Sequence, residues 1–285
     1  MKVGITLSGV NPRFRVAAAR AAEEVGFESV WLPEHLVFPM LMHRSPHAGH
    51  DHPPMAPETP TYDVFVSLAM IAGGTTSVRV GTNVYNIGLR HPFVVARAVA
   101  TLDELSDGRF EFGIGASWLE EEWTATGLDF STRGARVDET ISVCTRLWSE
   151  DVVEHHGRFF DFDPVAFNPK PRQRPHPAFI IGGDGPAARR RAAAVGDMWF
   201  PLNHPLDEVA AAMRTINDHR AEAGRAGATT LMMSSGTDPH PDLRRYRDVG
   251  AHRLIVRPYA SSRTAIDEIR HYGDEVLAPF AREAT

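Results

Sequence analysis

Glutamate and histidine stand side by side in the run WLPEHL, as Glu34 and His35, directly after residues that read as a buried strand. An imidazole ionises near neutrality, so His35 is the candidate to give or take a proton, with Glu34 orienting it or a backbone donor. The bland alternative is that both cap the strand. In VGTNVYNIGLRHP, the polar residues Thr82, Asn83 and Asn86 interrupt an apolar run and must bond either to a ligand or to neighbouring backbone. In GIGASWLEEEW, Gly113, Gly115, Ala116 and Ser117 lack bulk and let a flat ligand approach the main chain. In IIGGDGP, glycines run straight into a helix that starts at Pro186. Such a helix start offers uncovered N–H groups to a phosphate, or the glycines simply serve a tight turn. A planar, phosphorylated cofactor would use both glycine-rich surfaces.

The elements that must position these residues alternate between short apolar runs and longer helical patterns, the signature of parallel βα units. Strands are predicted at Val3 to Leu7, Ser29 to Leu32, Val78 to Tyr85, Arg109 to Ile114, Phe179 to Ile181, Asp197 to Phe200, Leu231 to Ser234 and Arg253 to Val256. Helices start near Pro12, Pro92 and Pro186 and stop at Gly26, Gly108 and Gly196, the capping asymmetry expected of Pro and Gly. In the second of these, Val94, Ala98, Leu102 and Leu105 form the stripe expected to face the sheet. Eight βα units in 285 residues predict an α/β fold, a single (β/α)8 TIM barrel over 1–285. Its catalytic groups are then expected at the carboxyl ends of the strands. Two segments break the rhythm, about 36–60 after the second strand and 152–177 after the fourth unit. The first is too long and too rich in Pro, His and Gly for an ordinary connection and is expected on the active-site rim. The second reads as an extended or hairpin insertion.

Composition removes several function classes. A net charge of −6 with dispersed arginines argues against a nucleic-acid partner. No run reaches the roughly 18 apolar residues of a membrane span, and KVGITL opens the chain with no basic-then-apolar leader, so a cytoplasmic protein is expected. The lone cysteine, Cys144, shares helical spacing with Val137, Ile141 and Trp148 and reads as a buried small hydrophobe. His43, His47, His50 and His52 lie among Pro and Gly in a pattern more typical of a solvated loop than of a metal site, and no metal is expected. HExxH and GxSxG motifs are absent, and GIGASW lacks the last glycine of a dinucleotide fingerprint.

The run RHPFVVARAVATLDELSDGRFEFGIGASWLEEEW, with WLPEH upstream and PHPAFIIGGDGPAARRRAAAVGDMWFP downstream, resembles the luciferase-like flavin and deazaflavin oxidoreductases. The likeness runs from Met1 to about Pro201 and is only generic beyond. It implies a cofactor lying flat at the carboxyl face, with a cis peptide between Asn83 and Val84 backing the tricyclic ring. It also implies Thr82, Asn83, Val84, Gly115, Ala116 and Ser117 beside the ring, and Gly182, Gly183 and Asp184 near the phosphate-bearing tail. Trp118 stands where related sugar-phosphate dehydrogenases carry a glutamate, which argues against that substrate. The resemblance points to a deazaflavin F420-dependent oxidoreductase acting on a small organic molecule, with His35 and Glu34 in proton transfer, Trp31 and Trp118 shaping the pocket, and a homodimeric assembly. FMN with molecular oxygen, in a monooxygenase, is the rival; a cofactor-binding protein without catalysis and a metal-dependent hydrolase follow.

Overall fold

The computed structural model describes residues 1–43, 45 and 55–283. Its strands are β1 (Lys2–Thr6), β2 (Ser29–Leu32), β3 (Arg79–Thr82), β4 (Tyr85–Asn86), β5 (Phe110–Gly115), β6 (Val152–His156), β7 (Asp161–Ala166), β8 (Phe179–Gly182), β9 (Met198–Phe200), β10 (Thr230–Ser234) and β11 (Arg253–Val256). The helices are α1 (Pro12–Glu24), α2 (Val64–Gly74), α3 (Pro92–Leu105), α4 (Glu120–Ala125), α5 (Arg133–Ser149), α6 (Pro186–Ala194), α7 (Leu206–Glu222), α8 (Leu243–Asp248), α9 (Ala265–Tyr272) and α10 (Ala278–Arg282).

Counting β3 and β4 as one interrupted strand, the parallel order β1-β2-β3-β5-β8-β9-β10-β11 closes on itself as a (β/α)8 barrel. Every expected strand is present. The third differs: it stops at Thr82 and resumes at Tyr85, with a cis Asn83–Val84 peptide in the gap. The 152–177 insertion holds the antiparallel β6–β7 hairpin, which lies against the outer flank, its Phe160 meeting His91 before α3 and Arg136 near the start of α5. Within the 36–60 segment, residues 44 and 46–54 lie outside the described residues, and with them His47, His50 and His52.

Alternation along each strand divides the core into two layers. The outward faces pack on the helices, where Val137, Ile141, Cys144 and Trp148 of α5 are all buried, as their spacing predicts. Inside the barrel sit Trp31, Ile180, Met198, Phe200, Met232 and Ile255. Trp31 is the centre of this layer. A Cβ on Gly81 would lie 2.3 Å from its indole and one on Gly4 2.8 Å from its Nε1, so the two flanking strands give up side chains to admit it. Trp31 is fully buried and bonded through Nε1 to Ser29, which makes it the floor of the barrel rather than a pocket wall, a correction to the sequence reading.

Beneath that floor, the amino ends of β3, β5 and β11 bring Arg79, Glu111 and Arg253 together with Glu28. The buried Arg253 guanidinium donates to both carboxylates, at 2.7 and 2.9 Å for Glu28, while Arg79 donates to Glu111. A second correction concerns α3. Its buried face is Val95, Ala96, Val99, Ala100, Leu102 and Asp103, whereas Val94 and Leu105 are 59% and 63% exposed. The apolar stripe is turned by about one residue, so that Val95, Ala96, Val99 and Ala100 are buried with Leu102 while Val94 and Leu105 face outward.

Candidate active site

Above the Trp31 layer, the carboxyl end of the barrel is lined on one side by backbone and one aliphatic side chain. Gly113 cannot carry a Cβ, which would fall 1.8 Å from the Thr82 carbonyl oxygen. Cβ atoms on Gly115 and Gly182 would come within 2.4 and 2.9 Å of Val84, so Val84 is seated between two strands that have no side chains of their own there. Asn83 donates its N–H to Leu32, 3.0 Å away, while its side-chain Oδ1 is buried without a partner. A buried amide oxygen of this kind calls for a donor. Thr82 has none to spare: it is fully buried, and its hydroxyl donates to the Gly113 carbonyl at 2.8 Å, stitching β3 to β5.

Glu34 and His35 diverge, as consecutive residues leaving a strand do. The buried Glu34 carboxylate accepts from the Asn86 N–H at 2.9 Å and from the Arg90 guanidinium, which lies 4.6 Å over the Tyr85 ring. Asn86 returns a bond from Nδ2 to the Glu34 carbonyl at 3.3 Å. Burial raises the Glu34 pKa, although Arg90 and the Asn86 N–H oppose it. Glu34 therefore clamps β4 to β2, and the orienting role falls to another acid.

That acid is Glu122 on α4. Fully buried, it accepts from the Leu36 N–H at 2.6 Å and the Val37 N–H at 3.3 Å through one oxygen, and faces His35 Nδ1 at 3.1 Å through the other. A carboxylate only accepts, so Nδ1 carries the hydrogen and Nε2 is left to exchange a proton. The Ser117 hydroxyl also donates to Glu122, at 3.4 Å, and accepts from the Leu119 N–H at 3.1 Å. These bonds accompany a φ of 63° at Ser117, a left-handed conformation costing roughly 1–2 kcal/mol outside glycine. The Trp118 ring meets His35 edge-on at 5.6 Å, with Phe38 at 4.8 Å from the imidazole. The motif GIGASWLEEEW holds three consecutive glutamates, Glu120, Glu121 and Glu122, and which of them turns inward is decided only by the fold. The signal available was the buried-type Trp123 beside Glu122.

Across the mouth, Gly183 has a φ of 120°, and its carbonyl accepts from Trp199 Nε1 at 2.8 Å. Asp184 does not cap α6. Its carboxylate accepts from the N–H groups of Leu202 and Asn203, fastening the loop after β9. The first turn of α6, entered through Gly185 and Pro186, has no side-chain cap, so the donors an anion would use are uncovered. His204 packs edge-on to Trp199 at 5.2 Å with its Nε2 buried and unpartnered. Bare backbone, an orphaned amide oxygen and an uncapped helix start suit a flat, phosphorylated ligand.

Residues 1–242 match the model of the luciferase-like monooxygenase family. The chain belongs to that family. Among its luciferase-like relatives is an uncharacterized protein of Mycobacterium tuberculosis, 28% identical over 276 residues that span 93% of this chain and 95% of the other. The F420-dependent glucose-6-phosphate dehydrogenase of Amycolatopsis mediterranei is 32% identical over 203 residues, 69% of this chain and 56% of its own. The FMNH(2)-dependent dimethylsulfone monooxygenase of Pseudomonas putida is also 32% identical, over 139 residues, 48% of this chain and 38% of its own. The luciferase-like fold is matched by the coenzyme F420-dependent tetrahydromethanopterin reductase of Methanopyrus kandleri, with a TM-score of 0.77, 16% identity, and 98% and 99% of the two chains covered. Among the described residues, no group of His, Cys, Asp and Glu is arranged to hold a metal, and no helix is long and apolar enough to cross a membrane.

Proposed function

We propose that this luciferase-like protein is a cytoplasmic oxidoreductase that binds the deazaflavin coenzyme F420 at the barrel mouth and moves a hydride between it and a small organic substrate. The observation that carries the reading is the wall in which the Val84 side chain is seated over Gly115 and Gly182, one small aliphatic group on a face otherwise made of backbone, against which a ring can lie. Asn83, Val84 and Gly115 to Ser117 hold the ring, and Gly182 to Asp184 with the first turn of α6 hold the phosphate. Thr82 contributes indirectly, by fixing the Gly113 backbone. When bound, the cofactor supplies hydride transfer, and the protein supplies orientation and exclusion of water. His35 takes the hydroxyl proton as a substrate is oxidised, or returns it in the reverse direction; Glu122 positions the imidazole, Glu34 braces the strand behind it, and Trp118 shapes the substrate pocket.

The FMNH2-dependent relative supports a second reading, a monooxygenase using reduced FMN and oxygen. The F420-dependent relative matches a longer part of the chain at the same identity, and this favours the deazaflavin. Side-by-side fluorescence and absorbance titrations of the apoprotein with F420 and FMN test the choice. Tight binding of F420 alone is the expected result; preference for FMN, with oxygen uptake on reduction, transfers the conclusion to the monooxygenase.

A further inference from the structure

The far side of the barrel mouth carries a cation that the proposed cofactor site does not use. Along β11, Arg253 and Ile255 face the interior while Leu254 and Val256 pack on the helices. The same alternation turns Arg257 inward, one layer above Ile255. Its guanidinium lies 5.3 Å over the Tyr259 ring and beside the loop after β1, where a Cβ on Gly9 would stand 3.4 Å from Nη2. Tyr259 is itself held by its hydroxyl, 2.7 and 2.8 Å from the Thr6 and Ser8 carbonyls, so the ring under the cation is fixed.

Arg257 differs from the other buried or half-buried arginines of the barrel. Arg253 has Glu28 and Glu111, Arg90 has Glu34, and Arg191 has Asp138. Arg15 is bonded to the Val10 carbonyl and the Ser67 hydroxyl. Arg257 has no carboxylate within 4.0 Å among the described residues; apart from the Tyr259 hydroxyl beside its guanidinium it has no anionic or phenolic partner, and its Nε is buried with no acceptor. A buried guanidinium donor without an acceptor is costly, and an acceptor carried by a ligand at the barrel mouth would relieve that cost.

We propose that Arg257 receives a carboxylate carried by the substrate. A planar guanidinium matches a carboxylate in geometry and charge, and its stacking on Tyr259 presents one edge of the fork to the mouth. The neighbouring strand β10 offers the Ser234 hydroxyl on the inward parity, at the level of Ile255. One cation balances a monoanion; Arg15, a second positive charge near Tyr259, spends its Nε and Nη1 hydrogens on the Val10 carbonyl and the Ser67 hydroxyl, which leaves Arg257 as the guanidinium free to pair with a carboxylate. The cofactor's own phosphate is served elsewhere. The start of α6 follows β8, three strand spacings from β11 along the wall, or roughly 14 Å. The inference rests on the barrel mouth being the substrate site, and it names the class of molecule that enters there: a small carboxylic acid bearing an alcohol or carbonyl group to be oxidised or reduced.

Calorimetric titration of the apoprotein with benzoate, benzamide and phenyl phosphate tests this without relying on turnover. The wild type is expected to bind benzoate about ten- to a hundredfold more tightly than the isosteric benzamide, and more tightly than phenyl phosphate. Arg257→Met abolishes that preference while leaving benzamide binding, the melting temperature and the cofactor dissociation constant unchanged, and Arg257→Lys retains part of it. No detectable benzoate binding, equal binding of benzoate and benzamide, or an undiminished preference in Arg257→Met overturns the proposal. So does a preference for phenyl phosphate, or an Arg257→Met variant whose principal defect is in cofactor binding. Because the titrations use apoprotein, failure of the cofactor assignment and failure of this one give separate signatures.

Discussion

His35 shows how one hydrogen bond sets the chemistry a side chain can do. Glu122 holds Leu36 and Val37 through Oε1, so in a Glu122→Gln variant the amide oxygen must stay with those two backbone donors. The amide NH2 then faces His35 Nδ1 and forces the hydrogen onto Nε2. The expected outcome is a tautomer reversal, seen in imidazole 15N NMR shifts, with turnover falling about 10²- to 10⁴-fold and cofactor affinity retained. Unchanged 15N shifts would remove Glu122 from the positioning role. His35→Ala is expected to lose activity over the same range without a change in melting temperature, and undiminished turnover would exclude His35 from proton transfer.

At the scale of strands and helices, the barrel is closed at its amino end by charge and at its carboxyl end by glycine. Arg253→Met removes the buried cation that Glu28 and Glu111 share and leaves them only Lys2 and Arg79, and a loss of about 3 kcal/mol in urea denaturation is expected. Glu28 and, on α1, Glu23 make stability depend on pH. Burial works against ionised Glu28, but the Arg253 hydrogen bonds and charge outweigh it and bring its pKa below the usual 4.5. Burial also opposes ionisation of Glu23, yet the N–H groups of Ser77, Val78 and Thr76 and the Ser77 hydroxyl bring its pKa to about 2. Folded-state values below the unfolded ones mean that this stabilisation is complete above pH 4.5 and is lost as the pH falls from there toward 2. Urea midpoints should fall across that window, and less steeply in Glu23→Gln.

For the whole molecule, the exposed apolar residues Val66 and Met70 on α2 and Val94 on α3 stand 57–63% open to solvent. Exposed apolar side chains on neighbouring helices suit burial against another chain. We expect a homodimer through this face, with sedimentation giving twice the chain mass and Met70→Glu shifting the protein to the monomer. A monomeric wild type refutes that assembly.

How much of this was legible in the residues follows from how far apart the interacting groups lie. Strand and helix identity was readable because periodicity and the Pro and Gly boundaries are properties of neighbouring residues, and the two bare-backbone surfaces were readable because an absent side chain needs no partner to be noticed. Only tertiary structure decided that Glu122, 87 residues away, and not the adjacent Glu34, meets His35. It also sent Trp31 into the floor, where Gly4 and Gly81 make room for it, turned the stripe of α3, and left Arg257 facing the mouth without an acid. Each of these depends on which strands barrel closure brings side by side, and pairing between distant strands is not written in the pattern of any one of them.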